Sequence, residues 1–171
     1  MENFGCTRLY SLPLSQVRTY LYSLVFIAGN LILPQLCHTV PQGGITLLPI
    51  YFFTLIAAYK FGIGVGLLTA IASPLANAFL FGMPSMEVLP GILVKSIALA
   101  IFAAVLARKF SSVSWLSIML VVLAYQVVGI LFEWAWIGSF QKAAQDLYIG
   151  LPGILIQIFG GYLLLKALAK Y

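Results

Sequence analysis

The side chains that could do chemistry in this chain lie mostly inside apolar runs. Lys95 stands six residues past Leu89, Glu133 four before Ile137, and Asn77 four before Phe81. At about 1.5 Å per helical residue, the lysine sits about 9 Å and the other two about 6 Å inside the ends of their segments. Three polar side chains from three segments therefore share one layer. A lysine at the centre of a membrane helix costs about 2.5–3.5 kcal/mol on insertion scales, so it is kept for a reason. Two readings stay open. Lys95 and Glu133 neutralise each other and clamp two helices, or they line a wet pocket facing outward; one does not exclude the other. Gln126, seven residues before Glu133, falls on the same helical face with Gly129 between them, and Gln157 adds an amide at mid-depth.

Trp134, Trp136, Phe140 and Tyr148 gather near the same level. Aromatic rings at that depth commonly anchor a helix at the membrane interface, and stacking of Trp134 or Trp136 on a flat ligand is the alternative. His38 has no partners at metal-ligand spacing, which leaves it as a gate or pocket residue. No serine–histidine, cysteine–histidine or paired-carboxylate arrangement has workable geometry, and there is no nucleotide-binding motif. The sequence predicts no enzyme, no metal and no cofactor. Gly62, Gly64, Gly66, Ala70, Ser73 and Asn77 look superficially like a phosphate loop, but the stretch is apolar. Small residues four apart, there and at Ala100 with Ala104 or Ala103 with Ala107, instead let neighbouring helices approach closely.

The elements that must hold these residues are membrane helices. Of 171 residues, 63% are hydrophobic and 8% charged, where a soluble domain carries about 25% charged residues. The composition predicts a single all-α membrane domain over residues 1–171, embedded in a lipid bilayer. Nucleic acid is excluded as a partner, because the basic residues lie between apolar blocks rather than in a patch. A span needs about 20 apolar residues. Six candidates appear, over 19–36, 46–59, 62–81, 89–106, 114–137 and 147–167. The second is short and contains Pro49, which predicts a tilt, a kink or burial among its neighbours. Its joint to the third, Lys60-Phe61-Gly62, demands an antiparallel hairpin.

With six spans, Arg8, Arg18, Lys60, Arg108, Lys109, Lys166 and Lys170 fall on one side. The other side receives only Lys142, with Glu87 and Asp146. The positive-inside rule then predicts cytoplasmic termini and a multi-pass protein of the cell (inner) membrane. Residues 1–18, with Glu2, Arg8, Pro13 and Arg18, hold no convincing cleavable signal. Cys6 and Cys37 flank the first span on opposite sides, so no disulfide between them is expected. The outer connections are 34–45, 82–88 and 138–146, of which the first, PQLCHTVPQGGI, is long enough to fold over the outer face.

Six spans in this length, a long first outer loop, and the segment SPLANAFLFGMPSMEVLPGILVK (residues 73–95) with its Gly-Met-Pro turn carry a resemblance. Together they resemble the substrate-binding S components of energy-coupling factor transporters. The resemblance is topological over the whole chain and motif-like over those residues alone. It implies a binder that captures a vitamin or vitamin-like micronutrient outside. It also implies a transmembrane coupling subunit and two cytoplasmic ATPases that power release. In that family the site lies among the first outer loop and spans four to six. Lys95, Glu133, Gln126 and Gln157 fall in that region, and His38 and Gln42 sit on the matching loop, expected to close over the ligand. Ser23, Ala28 and Gly29 depart from the Ala-x-x-x-Ala spacing that many members use for docking on the coupling subunit. Lys95 stands where relatives often have an acidic residue, which favours an anionic ligand unless Glu133 already neutralises the lysine. The alternative is a small six-span structural protein of a wall-elongation type envelope complex. An autonomous secondary transporter comes third, because the inner half of spans three, four and six is nearly all apolar.

Overall fold

The computed structural model describes residues 9, 11–39, 41–110 and 112–168. Glu2, Cys6, Arg8 and Lys170, which the topology, signal and disulfide expectations use, lie outside the described residues. All regular structure among the described residues is helical. In chain order the helices are α1 (Val17–Cys37), α2 (Gly43–Leu47), α3 (Phe52–Phe61), α4 (Ile63–Phe81), α5 (Leu89–Phe110) and α6 (Trp115–Ile137). Two short helices follow, α7 (Phe140–Ala143) and α8 (Gln145–Tyr148), then α9 (Leu151–Leu155) and α10 (Gly161–Leu168), joined by a π-helical turn over Ile156–Gly160. Among the described residues, five helices are long and apolar enough to cross a membrane: α1, α4, α5, α6 and the continuous Leu151–Leu168. That is the make-up of a multi-pass membrane protein.

The expected second span is the shorter element. A 3-10 turn, Pro49–Tyr51, leads into the ten residues of α3, about 15 Å of helix against a hydrocarbon core of about 30 Å. Burial replaces length. Every residue from Thr54 to Phe61 is buried, so α3 is the central rod of the bundle rather than a lipid-facing span. Leu48 breaks the run between α2 and α3 in the left-handed region, at φ 47°. Pro49 after it forbids a continuous helix. The joint to α4 is a single residue, Gly62 at φ 91°, a conformation that side chains resist.

The core around α3 is apolar, with Leu55, Ile56, Leu99, Ile118 and Val122 at its centre, but the inward stripes of α1 and α4 are mostly small and polar. The buried stripe of α1 is Thr19, Ser23, Phe26, Asn30 and Pro34, and that of α4 includes Gly66, Thr69, Ser73 and Asn77. These recur every three or four residues, one face of a helix. The outward faces carry Leu21, Leu24, Val25, Phe79, Val105, Val127, Leu131 and Leu163. In lipid, association rests on close packing and interhelical hydrogen bonds rather than on hiding oil from water. Gly66 provides the first: a Cβ there would press on Ala58 and stand 3.4 Å from the Ala100 methyl, so α3, α4 and α5 meet backbone to backbone. Asn30 provides the second. Its amide donates to Thr54 Oγ1 (3.0 Å) and Ser73 Oγ (3.2 Å), and its oxygen accepts from Phe53 N (3.3 Å), tying α1 to α3 and α4.

The chain alternates between two ends. At one, Leu12 N donates to Phe61 O (3.2 Å), the Tyr59 hydroxyl to Ser112 O (3.0 Å) and Arg108 to Ser11 Oγ (2.7 Å), while the Lys60 ammonium donates to Leu168 O. This basic end therefore collects the approach to α1, the end of α3, the α5–α6 joint and the end of α10. The opposite end is built by α2, the 82–88 turn and the α7–α8 segment. There α9 lies directly on α2: a Cβ on Gly153 would stand 2.5 Å from Leu47 O and 2.9 Å from Thr46 O.

Candidate functional site

Lys95 and Glu133 meet at the α2 end of the bundle, and a third group joins them. The Lys95 ammonium lies 2.8 Å from both Glu133 oxygens and 2.6 Å from Asp146 Oδ2. The lysine is 1% exposed, the carboxylates 18% and 21%. One buried cation is thus enclosed by two partly wet anions from α6 and α8. Two glycines make room. A Cβ on Gly129 would overlap the lysine stem, and one on Gly91 would stand 2.7 Å from Glu133 Oε1. Gly129 and Glu133 are one turn apart on α6, and Gly91 and Lys95 one turn apart on α5, so both helices pair a gap with a charge.

The carboxylates face a cavity. Glu133 and Asp146 line a hollow of about 360 Å³ together with Lys142, Tyr51, Ile137, Gln145 and Leu48. The wall of Gly44, Ile45, Ile50, Val88 and Ile92 is shared with a second hollow of about 260 Å³, lined also by His38, Asn77, Pro49 and Met83. Volumes of this order suit a small ligand. Lys95 itself lines neither hollow. It sits behind Glu133 and Asp146, so the polar surface offered to a ligand is carboxylate, with the exposed Lys142 at the rim.

Of the other residues expected at the site, Asn77 and His38 line the smaller hollow. Asn77 donates to Asn30 O (2.9 Å) and Ser73 O (3.0 Å), while the His38 ring lies against Gly44, where a Cβ would stand 3.0 Å from Nε2. The remaining five stand elsewhere. Gln126 and Gln157 are buried below, around Tyr125: its hydroxyl donates to Gln157 Oε1 (2.9 Å) and accepts from Gln126 Nε2 (3.4 Å). Gln126 Oε1 and Gln157 Nε2 have no partner there. Tyr125 in turn packs against Tyr51, the cavity residue nearest this layer, with ring centroids 5.3 Å apart. Trp134 and Trp136 point outward, 49% and 66% exposed, against Phe140 and Phe132 and not into either hollow. Gln42 is exposed at the start of α2 in the left-handed region, at φ 59°, outside both hollows.

Asp146 is the residue the sequence reading missed as a site residue, having counted it only as a loop charge. The available signal was stoichiometric. A fully buried ammonium carries three donors and one positive charge, and one carboxylate two residues' reach away rarely satisfies all of them. No protein-family model, no curated protein and no solved structure matches this chain.

Proposed function

We propose that the chain is a membrane-embedded binding subunit that captures a small vitamin-like molecule in the paired hollows. On this reading it works as the S component of an energy-coupling factor type importer, with a coupling subunit and two ATPases supplying the energy. The observation that carries the reading is the placement of Glu133 and Asp146: two carboxylates held by a buried lysine, facing empty space rather than protein. A clamp alone needs no hollow. Charged groups kept inside a membrane bundle commonly mark a ligand path, and here they edge a cavity of ligand size. Lys95 then acts as the positioning residue and the carboxylates as the ligand contacts. The expected lid segment 34–45 begins inside α1 and ends in α2, whose Gly44 and Ile45 border both hollows and supply the closure.

The same triad favours a second reading, in which Lys95 only ties α5, α6 and α8 together, as in a structural partner of an envelope complex. Ligand-dependent stabilisation separates the two. The purified protein is melted with and without biotin, lipoate, pantothenate, niacin and further vitamins, cationic as well as anionic. The binding-subunit reading expects saturable stabilisation by at least one compound. A flat response across the full panel favours the structural reading.

A further inference from the structure

We infer that the occupant is an elongated molecule with a cationic head on Glu133 and Asp146 and a hydrogen-bond donor at its far end, received by Asn77. This deepens the binding-subunit reading and rests on it. The head is set by charge. Four charged groups among the described residues bear on the larger hollow: Glu133 and Asp146 on its wall, Lys95 behind them, and Lys142 at its rim, beside the neutral Tyr51. Lys95 is spent, with both carboxylates within 2.8 Å of its nitrogen. One ammonium against two carboxylates leaves one negative charge at the inner wall. Lys142 makes no ion pair with either carboxylate and is exposed, so water screens its charge. A protonated amine or other cation completes the inner wall; a carboxylate ligand there would meet two like charges.

The tail is set by Asn77. This side chain belongs to a residue only 2% exposed, yet it lines the smaller hollow. Both of its amide hydrogens are used, on Asn30 O and Ser73 O, while its oxygen accepts from no described residue. That oxygen is not among the fully buried atoms left without a partner, so it is open to the hollow, where a ligand's donor can take the place of water on it. The asparagine keeps this orientation because its two amide partners are carbonyl oxygens. Between head and tail the shared wall of Ile45, Ile50, Val88 and Ile92 is apolar, matching an apolar body.

Three probes test the two ends separately. Tyramine has the amine, the ring and a phenolic donor; phenethylamine lacks the phenol; hydroxyphenylacetate keeps the phenol and exchanges the amine for a carboxylate. Each is titrated into the detergent-purified full chain, with melting followed by intrinsic fluorescence and affinity by calorimetry. Tyramine is expected to bind at least about tenfold tighter than hydroxyphenylacetate, the scale of one hydrogen bond to a charged group. It should also bind severalfold tighter than phenethylamine. In Asp146→Asn the preference for the amine over the carboxylate should shrink about tenfold, with each variant compared to its own ligand-free melt. Hydroxyphenylacetate binding as tightly as tyramine overturns the cationic head and leaves the binding-subunit reading standing. Equal binding of tyramine and phenethylamine overturns the role of Asn77 alone. No saturable binding of any probe, with none from the vitamin panel, overturns the inference and the reading beneath it together.

Discussion

Lys95→Met tests the electrostatics of the triad most sharply. The substitution keeps the length of the stem that fills the gap over Gly129 and removes only the charge. Two carboxylates, each formerly within 2.8 Å of the ammonium, are then left facing each other. Removing one partner of a buried ion pair costs about 3–5 kcal/mol. Glu133 and Asp146 are 18% and 21% exposed, so water relieves part of that penalty and the lower end, about 3 kcal/mol, applies. For a chain of this size about 1 kcal/mol moves Tm by about 2–4 °C, so a fall of about 6–12 °C is expected. The assay is thermal melting in one detergent at neutral pH. Lys95→Met combined with Glu133→Gln and Asp146→Asn should recover most of the loss, because a neutral triad strands no charge. A single variant melting within about 2 °C of wild type, or a triple variant worse than the single, would refute the argument.

Further outcomes follow from neighbouring geometry. Gly129→Ala drives a methyl into the Lys95 stem and should destabilise by about 1–3 kcal/mol, an overpacking cost readable in the same melt. Asn30→Ala leaves Thr54, Ser73 and the Phe53 amide short of a partner; a loss of about 1–3 kcal/mol is expected, and a neutral result would remove the network from the account of how α1 is held. Trp136→Phe should leave Tm within about 1 °C, since the ring is 66% exposed, while removing part of the fluorescence quenched by brominated lipid. Quenching unchanged by that substitution would argue against lipid contact there.

The bundle was legible because membrane helices announce themselves by length and hydropathy, and four of the six expected segments match α1, α4, α5 and α6 closely. The second and sixth did not read as simply. Segment 46–59 was expected to be tilted, kinked or buried among its neighbours; the chain breaks at Leu48-Pro49 and α3 is buried, an outcome its residues alone could not select, since an all-apolar helix looks alike in lipid and in protein. Segment 147–167 reads as one run, yet Gly150, Pro152 and the Gly160-Gly161 pair divide it around a π-helical turn. Helical faces were equally legible: Lys95, Gly129 and Glu133 fall together as their spacing requires. Asp146 was not, because a loop residue has no period to place it. Gln126 illustrates the limit of the facing argument, for it shares the stripe of Glu133 but lies two turns deeper, where Tyr125 takes its amide. Trp134 and Trp136 are turned outward by the same helix that turns Glu133 in, away from both hollows. The lean toward an anionic ligand carried its own condition, and the structure meets that condition: Glu133, with Asp146, already neutralises the lysine.

The central claim is that the hollows beside the triad hold a molecule. Ile45 borders both hollows and is 45% exposed, so Ile45→Trp fills space without burdening the core. The direct measurement is the amount of small molecule released on denaturing protein purified from its own membranes, wild type beside Ile45→Trp, per mole of chain. A compound near one equivalent in the wild type and depleted in the variant is the predicted result. Equal release from both, or none from either with the same affinity for every added compound, would contradict the account.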